Sequence, residues 1–127
     1  ADLAGGAACA TNQVLYNPSR RGIEFDLLPW CRARGMPVMA YSPVEQGRLL
    51  RHRELAAVAA RHAATVAQVT LAWVLRQDGV IAIPKAGRVA HVEENARALE
   101  IVLTGEDAAA FDRAFPPPTR ARPLEML

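Results

Sequence analysis

Lysine occurs once in this chain of 127 residues, at Lys85, against fourteen arginines. Cysteine occurs twice, and Cys9 and Cys31 are too few and too loosely spaced for a disulfide framework, a metal knuckle or a redox pair. Both are expected to be small buried hydrophobes in a reducing cytoplasm. Aromatic side chains make up only 6%. With a formal charge of +2, no run of like charge longer than Arg20-Arg21 and no interleaved aromatics, a nucleic-acid partner is not expected. No apolar stretch approaches the roughly 20 residues of a membrane span, and the opening ADLAGGAACA has neither a basic leader nor an apolar core. A soluble cytoplasmic protein without a membrane partner is the expectation.

What the chain does have is alanine, within a hydrophobic share of 51%, in a length suited to one core. A short apolar run followed by a helical stretch recurs three times. The runs are CATNQVLYN (9–17), MPVMAYSP (36–43) and GVIAIPK (79–85). Between the first two, Ile23, Leu27, Trp30 and Cys31 fall on one helical face and Gly35 supplies a stop. Pro29 leaves two readings open: a kinked helix, or a shorter one capped by Asp26 with the proline in its first turn. After the second run, residues 44–53 read as a loop and 54–64 as a helix. Thr65 and Gln68 then form a capping box for a helix whose Val66, Val69, Ala72 and Trp73 make an inward stripe. Val89, Val92, Ala96 and Leu99 recur at helical spacing, and a last helix starts at Thr104, carries Phe111 and Phe115, and stops at FPPP.

Strand-helix alternation of this kind predicts a parallel sheet with right-handed crossovers. A doubly wound dinucleotide fold would show a G-x-G-x-x-G turn after its first strand, and none is present. A (β/α)8 barrel is therefore favoured, with working residues at the C-terminal strand ends. Those ends offer Asn12, Gln13, Tyr16 and Asn17, then Tyr41 and Ser42, then Lys85. Lys85 closes a strand just before a helix begins at 87–89, so its ammonium and the helix's free N–H groups form an anion site suited to phosphate. Arg88 and His91 add basic groups nearby. His52 and His62 are expected to be solvated.

The pieces NQVLYN, LLPWCRARG, MAYSP, AWVLRQ, AIPKA and HVEENA, in that order, resemble the C-terminal half of an aldo-keto reductase over nearly the whole chain. The resemblance implies an NADPH-dependent, metal-free oxidoreductase that transfers hydride to a small aldehyde or ketone. It implies a partial TIM barrel, the last three βα units plus the C-terminal helix, over residues 1–127, with 115–127 as a tail. By the same resemblance Gln13 would hold the nicotinamide carboxamide and Tyr41 would stack on its ring. Ser42 and the backbone near Val44 would touch the pyrophosphate, Lys85 would meet the 2′-phosphate, and Glu94 and Asn95 would bond the adenine edge. Ala86 stands where many members carry serine and His91 where many carry arginine. Arg88 could compensate, and the expected preference for NADPH over NADH is weaker than the family's usual one.

The family's catalytic tyrosine, lysine, aspartate and histidine come from the first half of the barrel and match no position here. The chain is thus expected to be a truncated piece of a full-length reductase, lacking its N-terminal half and inactive alone. Three strands do not close an eight-stranded barrel and two copies provide only six, so open edges should favour association. The alternative is a non-catalytic nucleotide-binding or interaction module built on a half-barrel. The tail FPPPTRARPLEML is either a loosely ordered terminus or a rim segment bringing Leu124 and Met126 to the pocket.

Overall fold

The computed structural model describes residues 6–127. Strands β1 (Asn12–Leu15), β2 (Val38–Tyr41) and β3 (Val80–Ile83) pair in parallel in the order β1-β2-β3. Each lies inside one of the three apolar runs, and the connections carry helices α1 (Leu27–Ala33), α2 (Arg53–Arg61), α3 (Val66–Leu75), α4 (Val89–Ala96) and α5 (Gly105–Ala114). The architecture is α/β, consistent with part of a barrel. Among the described residues no single helix is long and apolar enough to cross a membrane, and no group of three His, Cys, Asp or Glu side chains could hold a metal ion.

The register aligns Asn12 with Val38 and Val80, and Val14 with Ala40 and Ala82. Because strand side chains alternate faces, these rows point one way, toward the helices, where Val14, Val38, Ala40 and Val80 are buried. The intervening rows, Gln13-Met39-Ile81 and Leu15-Tyr41-Ile83, point the other way. Among the described residues no helix covers that second face, and Ile81 and Ile83 are 45% and 36% exposed. The side toward the helices is closed around Trp73 of α3, whose ring lies 5.5 Å from Tyr16 and 5.8 Å from Phe111. The guanidinium carbons of Arg21 and Arg76 sit 5.1 and 4.8 Å from the same ring.

Local signals account for most helix ends. Asp26 Oδ1 accepts from Leu27 N at 2.7 Å, so α1 is the short, capped helix and Pro29 falls in its first turn, where a missing N–H costs nothing. Ile23 belongs to a separate 3₁₀ turn, Gly22–Glu24, and does not share the α1 face. Gly35, at φ +62°, ends the helix in the left-handed conformation that glycine tolerates best. Thr65 and Gln68 form the expected capping box on α3, and Thr104 forms one with Asp107 on α5.

Several expectations are corrected. Residues 44–53 are not a plain loop; a 3₁₀ segment, Glu45–Arg51, is interrupted by left-handed Gln46 and Gly47. α3 has no single inward stripe, since burial runs from Gln68 through Val74 where the helix is enclosed by α2, the sheet and the 97–100 turn. The apolar positions after β3 do form a helix to Ala96, but Val89, Val92 and Leu99 are exposed, and only Ala98 of that stretch is buried. Cys31 is buried as expected, whereas Cys9 is exposed.

The two histidines are not simply solvated. His52 packs its ring 4.8 Å from Phe115, and His62 Nε2 lies 2.7 Å from Asp107 Oδ2. The tail has no helix or strand and is exposed from Thr119 on, with one ion pair to the loop after β1. Glu125 pairs with Arg20 at 2.9 Å, and Leu124 lies with Asn12, Leu27 and Trp30 around one open cavity. Leu15 is buried although its row is otherwise open, and Arg122, Pro123 and Leu124 line the small cavity beside it.

Candidate functional site

The three strands are parallel, so their C-terminal ends meet at one edge of the sheet. Gln13 is exposed and lies within β1, not at its end. Tyr41 is the last residue of β2 and partly buried. Their rows are adjacent and on the same, helix-free face, which makes them diagonal neighbours across two strands. Lys85 follows Ile83, the row-mate of Tyr41, by two residues. From Gln13 to Lys85 there are two strand spacings sideways and four residues lengthwise, a span on the order of 16 Å.

Two other residues from the sequence's rim set turn away. Asn12 Nδ2 approaches Cys31 Sγ on the helix side at 3.9 Å. Tyr16 is fully buried and donates its hydroxyl to Glu24 Oε1 at 2.7 Å. Burial, then the charge and hydrogen bond of Glu24, hold the Tyr16 phenol well above its usual range, so it is no acid for a carbonyl at the rim.

The segment after β2 is unusual in its backbone. Ser42, Glu45 and Gln46 have φ of +49°, +49° and +54°, and Gly47 has +86°. Left-handed backbone at a non-glycine residue costs about 1 kcal/mol or more, so neighbours must hold this segment. Asn17 Nδ2 donates to Ser42 O at 3.0 Å and to Glu45 Oε2 at 2.7 Å. Arg20 donates to Glu45 Oε1 from Nε at 3.1 Å and from Nη2 at 2.9 Å. Burial pushes the Glu45 carboxyl up, but the hydrogen bonds of Arg20 and Asn17 and the charges of Arg20 and Arg48 bring it below its ordinary value. Ser42 and Val44 therefore sit on a turn held from beneath by the loop after β1.

At β3, Lys85 is exposed, and a Cβ placed at Gly87 would meet its Nζ at 3.3 Å, so the ammonium bends back over the start of α4. Arg88 is the residue before that helix, extended at φ −138°, and its side chain makes no capping bond. His91 N and Val92 N donate to Arg88 O at 3.1 and 3.3 Å, so the amides of Val89 and Ala90 are the donors left beside two cations. Among the described residues no carboxylate pairs with Lys85, Arg88 or His91. Arg88, His91 and Asn95 share one helical line by spacing. Glu94 does not share it: its Oε1 accepts from Thr65 Oγ1 at 2.7 Å and its carbonyl from Gln68 Nε2 at 3.0 Å.

The helix-free face and its edge thus carry an amide, an aromatic ring, a strained turn and a cationic corner with no carboxylate partner among the described residues. Such an array suits an extended ligand with a planar ring at one end and phosphate at the other. Sequence reasoning passed over Glu45 and Arg20 as functional positions. The one available signal was Gly47, which marks a left-handed turn beside an acidic residue.

The model of the aldo/keto reductase family matches residues 1–115. The chain is 50% identical over 130 residues to methylglyoxal reductase YeaE of Escherichia coli (strain K12), covering 98% of this chain and 46% of that protein. It is 38% identical over 101 residues to glyoxal reductase of Bacillus subtilis (strain 168), covering 80% and 36%. It resembles a crystal structure of an aldo-keto reductase from Klebsiella pneumoniae in complex with NADPH, with a TM-score of 0.94, 52% identity and coverage of 98% and 46%. The chain thus spans less than half the length of these relatives.

Proposed function

Because this chain belongs to the aldo/keto reductase family, we propose that it is the cofactor-binding half of an NADPH-dependent reductase. In this reading it forms the last three βα units and the C-terminal helix of a (β/α)8 barrel, with residues 115–127 as a tail. The observation that carries it is the register, which supports Gln13, Tyr41 and Lys85 acting along one face and one edge. Their span of about 16 Å suits an extended dinucleotide. The Klebsiella pneumoniae relative bound to NADPH supports the same cofactor.

Gln13 would hold the carboxamide, and Tyr41 would order the nicotinamide by stacking. Ser42 and the Val44 backbone would meet the pyrophosphate. Lys85, with Arg88 and His91 beside it, would neutralise the 2′-phosphate, as the ammonium bent over Gly87 and lacking a carboxylate partner suits. Asn95 would bond the adenine edge, and Glu94 would join it through the carboxylate oxygen that Thr65 leaves open. NADPH would supply the hydride. The proton donor for the carbonyl would come from the upstream half, since Tyr16 is buried and its proton tightly held. The names of the Escherichia coli and Bacillus subtilis relatives support a small 2-oxoaldehyde as the carbonyl compound.

The test is fluorescence titration of NADPH into the complete barrel, made by joining this chain to an upstream half, alongside methylglyoxal turnover. Expected are saturable binding, its loss in Lys85→Met, and turnover absent from the isolated chain. Binding indifferent to Lys85→Met would overturn the assignment. Binding without turnover in the complete barrel would favour the non-catalytic module.

A further inference from the structure

Glu45 stands out in the turn after β2. It is 4% exposed, a buried carboxylate with a positive φ, at a position where neither a charge nor a side chain is cheap. Its partners come from the preceding loop and close a complete set. Asn17 has both amide protons committed, one to Ser42 O and one to Glu45 Oε2, while its own oxygen accepts from Ser19 N at 3.0 Å and Ser19 Oγ at 2.9 Å. Arg20 divides its guanidinium between Glu45 and Glu125. Arg48, in the same turn, approaches Glu45 Oε1 at 3.4 Å. Ser42 O accepts a second bond from Glu45 N at 2.9 Å, and Gly47 N donates to Val44 O at 2.9 Å. The carbonyls of Ser42 and Val44 are therefore tied into the turn.

From this geometry we propose that Glu45 is a positioning residue for the phosphate turn. Its carboxylate, gripped by Asn17 and Arg20, holds the left-handed backbone at Ser42, Glu45, Gln46 and Gly47 and so presents Ser42 and Val44 to the diphosphate. The inference rests on the cofactor reading above and deepens it. In this reading Glu45 acts through the backbone and does not itself meet the cofactor. Its negative charge beneath a diphosphate would repel if bare, and Arg20 and Arg48 neutralise it where it lies. The same grip explains how two non-glycine residues, Glu45 and Gln46, persist in sequence at positive φ.

The experiment compares two probes on the complete barrel. NADPH spans the turn and the Lys85 corner, whereas 2′-AMP carries the adenine and the 2′-phosphate but neither phosphate of the diphosphate. Glu45→Gln should weaken NADPH about tenfold, the loss typical of a charged hydrogen bond, and leave 2′-AMP within about twofold. A second variant adds Gln46→Gly to Glu45→Gln. Glycine adopts positive φ without strain, so the double variant should regain much of the NADPH affinity if the grip acts by holding the backbone. Unchanged NADPH binding in Glu45→Gln, or equal loss for both probes, overturns the inference. So does a failure of Gln46→Gly to restore any binding. If the parent barrel binds neither probe, the cofactor reading itself has failed, which is a separate result.

Discussion

His62 Nε2 lies 2.7 Å from Oδ2 of Asp107, joining the end of α2 to the first turn of α5. Asp107 is almost fully buried and also accepts from Arg61 and from the amide and hydroxyl of Thr104. Burial alone would push its carboxyl up, but the bonds from His62, Thr104 and Arg61 hold it well below the usual carboxylate range. A carboxyl depressed in the folded state contributes stability above its unfolded pKa of about 4, and that contribution fades as pH falls through the folded value. Chemical denaturation should therefore show wild-type stability declining below about pH 4. Asp107→Asn should cost about 3 kcal/mol at neutral pH, a penalty that shrinks in acid. A pH-independent difference would show that the carboxylate is not the source.

Lys85 and Arg88 differ from Asp107 in having no acidic partner among the described residues. Lys85→Met should weaken NADPH binding by about 1.5 to 3 kcal/mol and barely affect NADH, which lacks the 2′-phosphate. Arg88→Ala should act in the same direction with a smaller size. Dissociation constants for both cofactors in the complete barrel check this. Equal loss for NADPH and NADH on changing Arg88 would exclude it from the 2′-phosphate.

The helix-free face of the sheet predicts opposite outcomes in two contexts. Ile81 and Ile83 are exposed in this chain, and β1 and β3 end the sheet among its described residues. In the isolated chain, Ile81→Thr with Ile83→Thr should reduce self-association, read by sedimentation velocity. In a closed barrel the same pair faces the interior, and the change should destabilise by about 2 kcal/mol or more. The same sign in both contexts would mean the face is not the barrel interior.

Trp73 carries the packing between the sheet and the helices. Replacing it with alanine should cost about 3 to 5 kcal/mol in thermal or chemical unfolding. Thr65→Ala removes the capping bond from Gln68 N and the bond to Glu94 Oε1, and should cost about 1 to 2 kcal/mol, with the helix retained by circular dichroism.

Sequence alone determined the elements whose causes lie within a few residues. The capping box at Thr65, the helix start at Thr104, the stop at Gly35 and the three apolar runs were legible because a cap or a strand period needs only near neighbours. Family motifs added the order of Gln13, Tyr41 and Lys85 along the chain. They were silent on Glu45, because its partner Asn17 stands 28 residues away and its meaning depends on that contact.

Tertiary structure decided the rest. Whether Val89 and Leu99 are covered, whether His62 is solvated and where the tail lies all depend on segments far apart in the chain, such as Arg20 and Glu125 at a separation of 105. Spacing states which residues can share a face. It does not state what lies against that face, because burial and electrostatic partnership are properties of the packed whole and not of any one stretch.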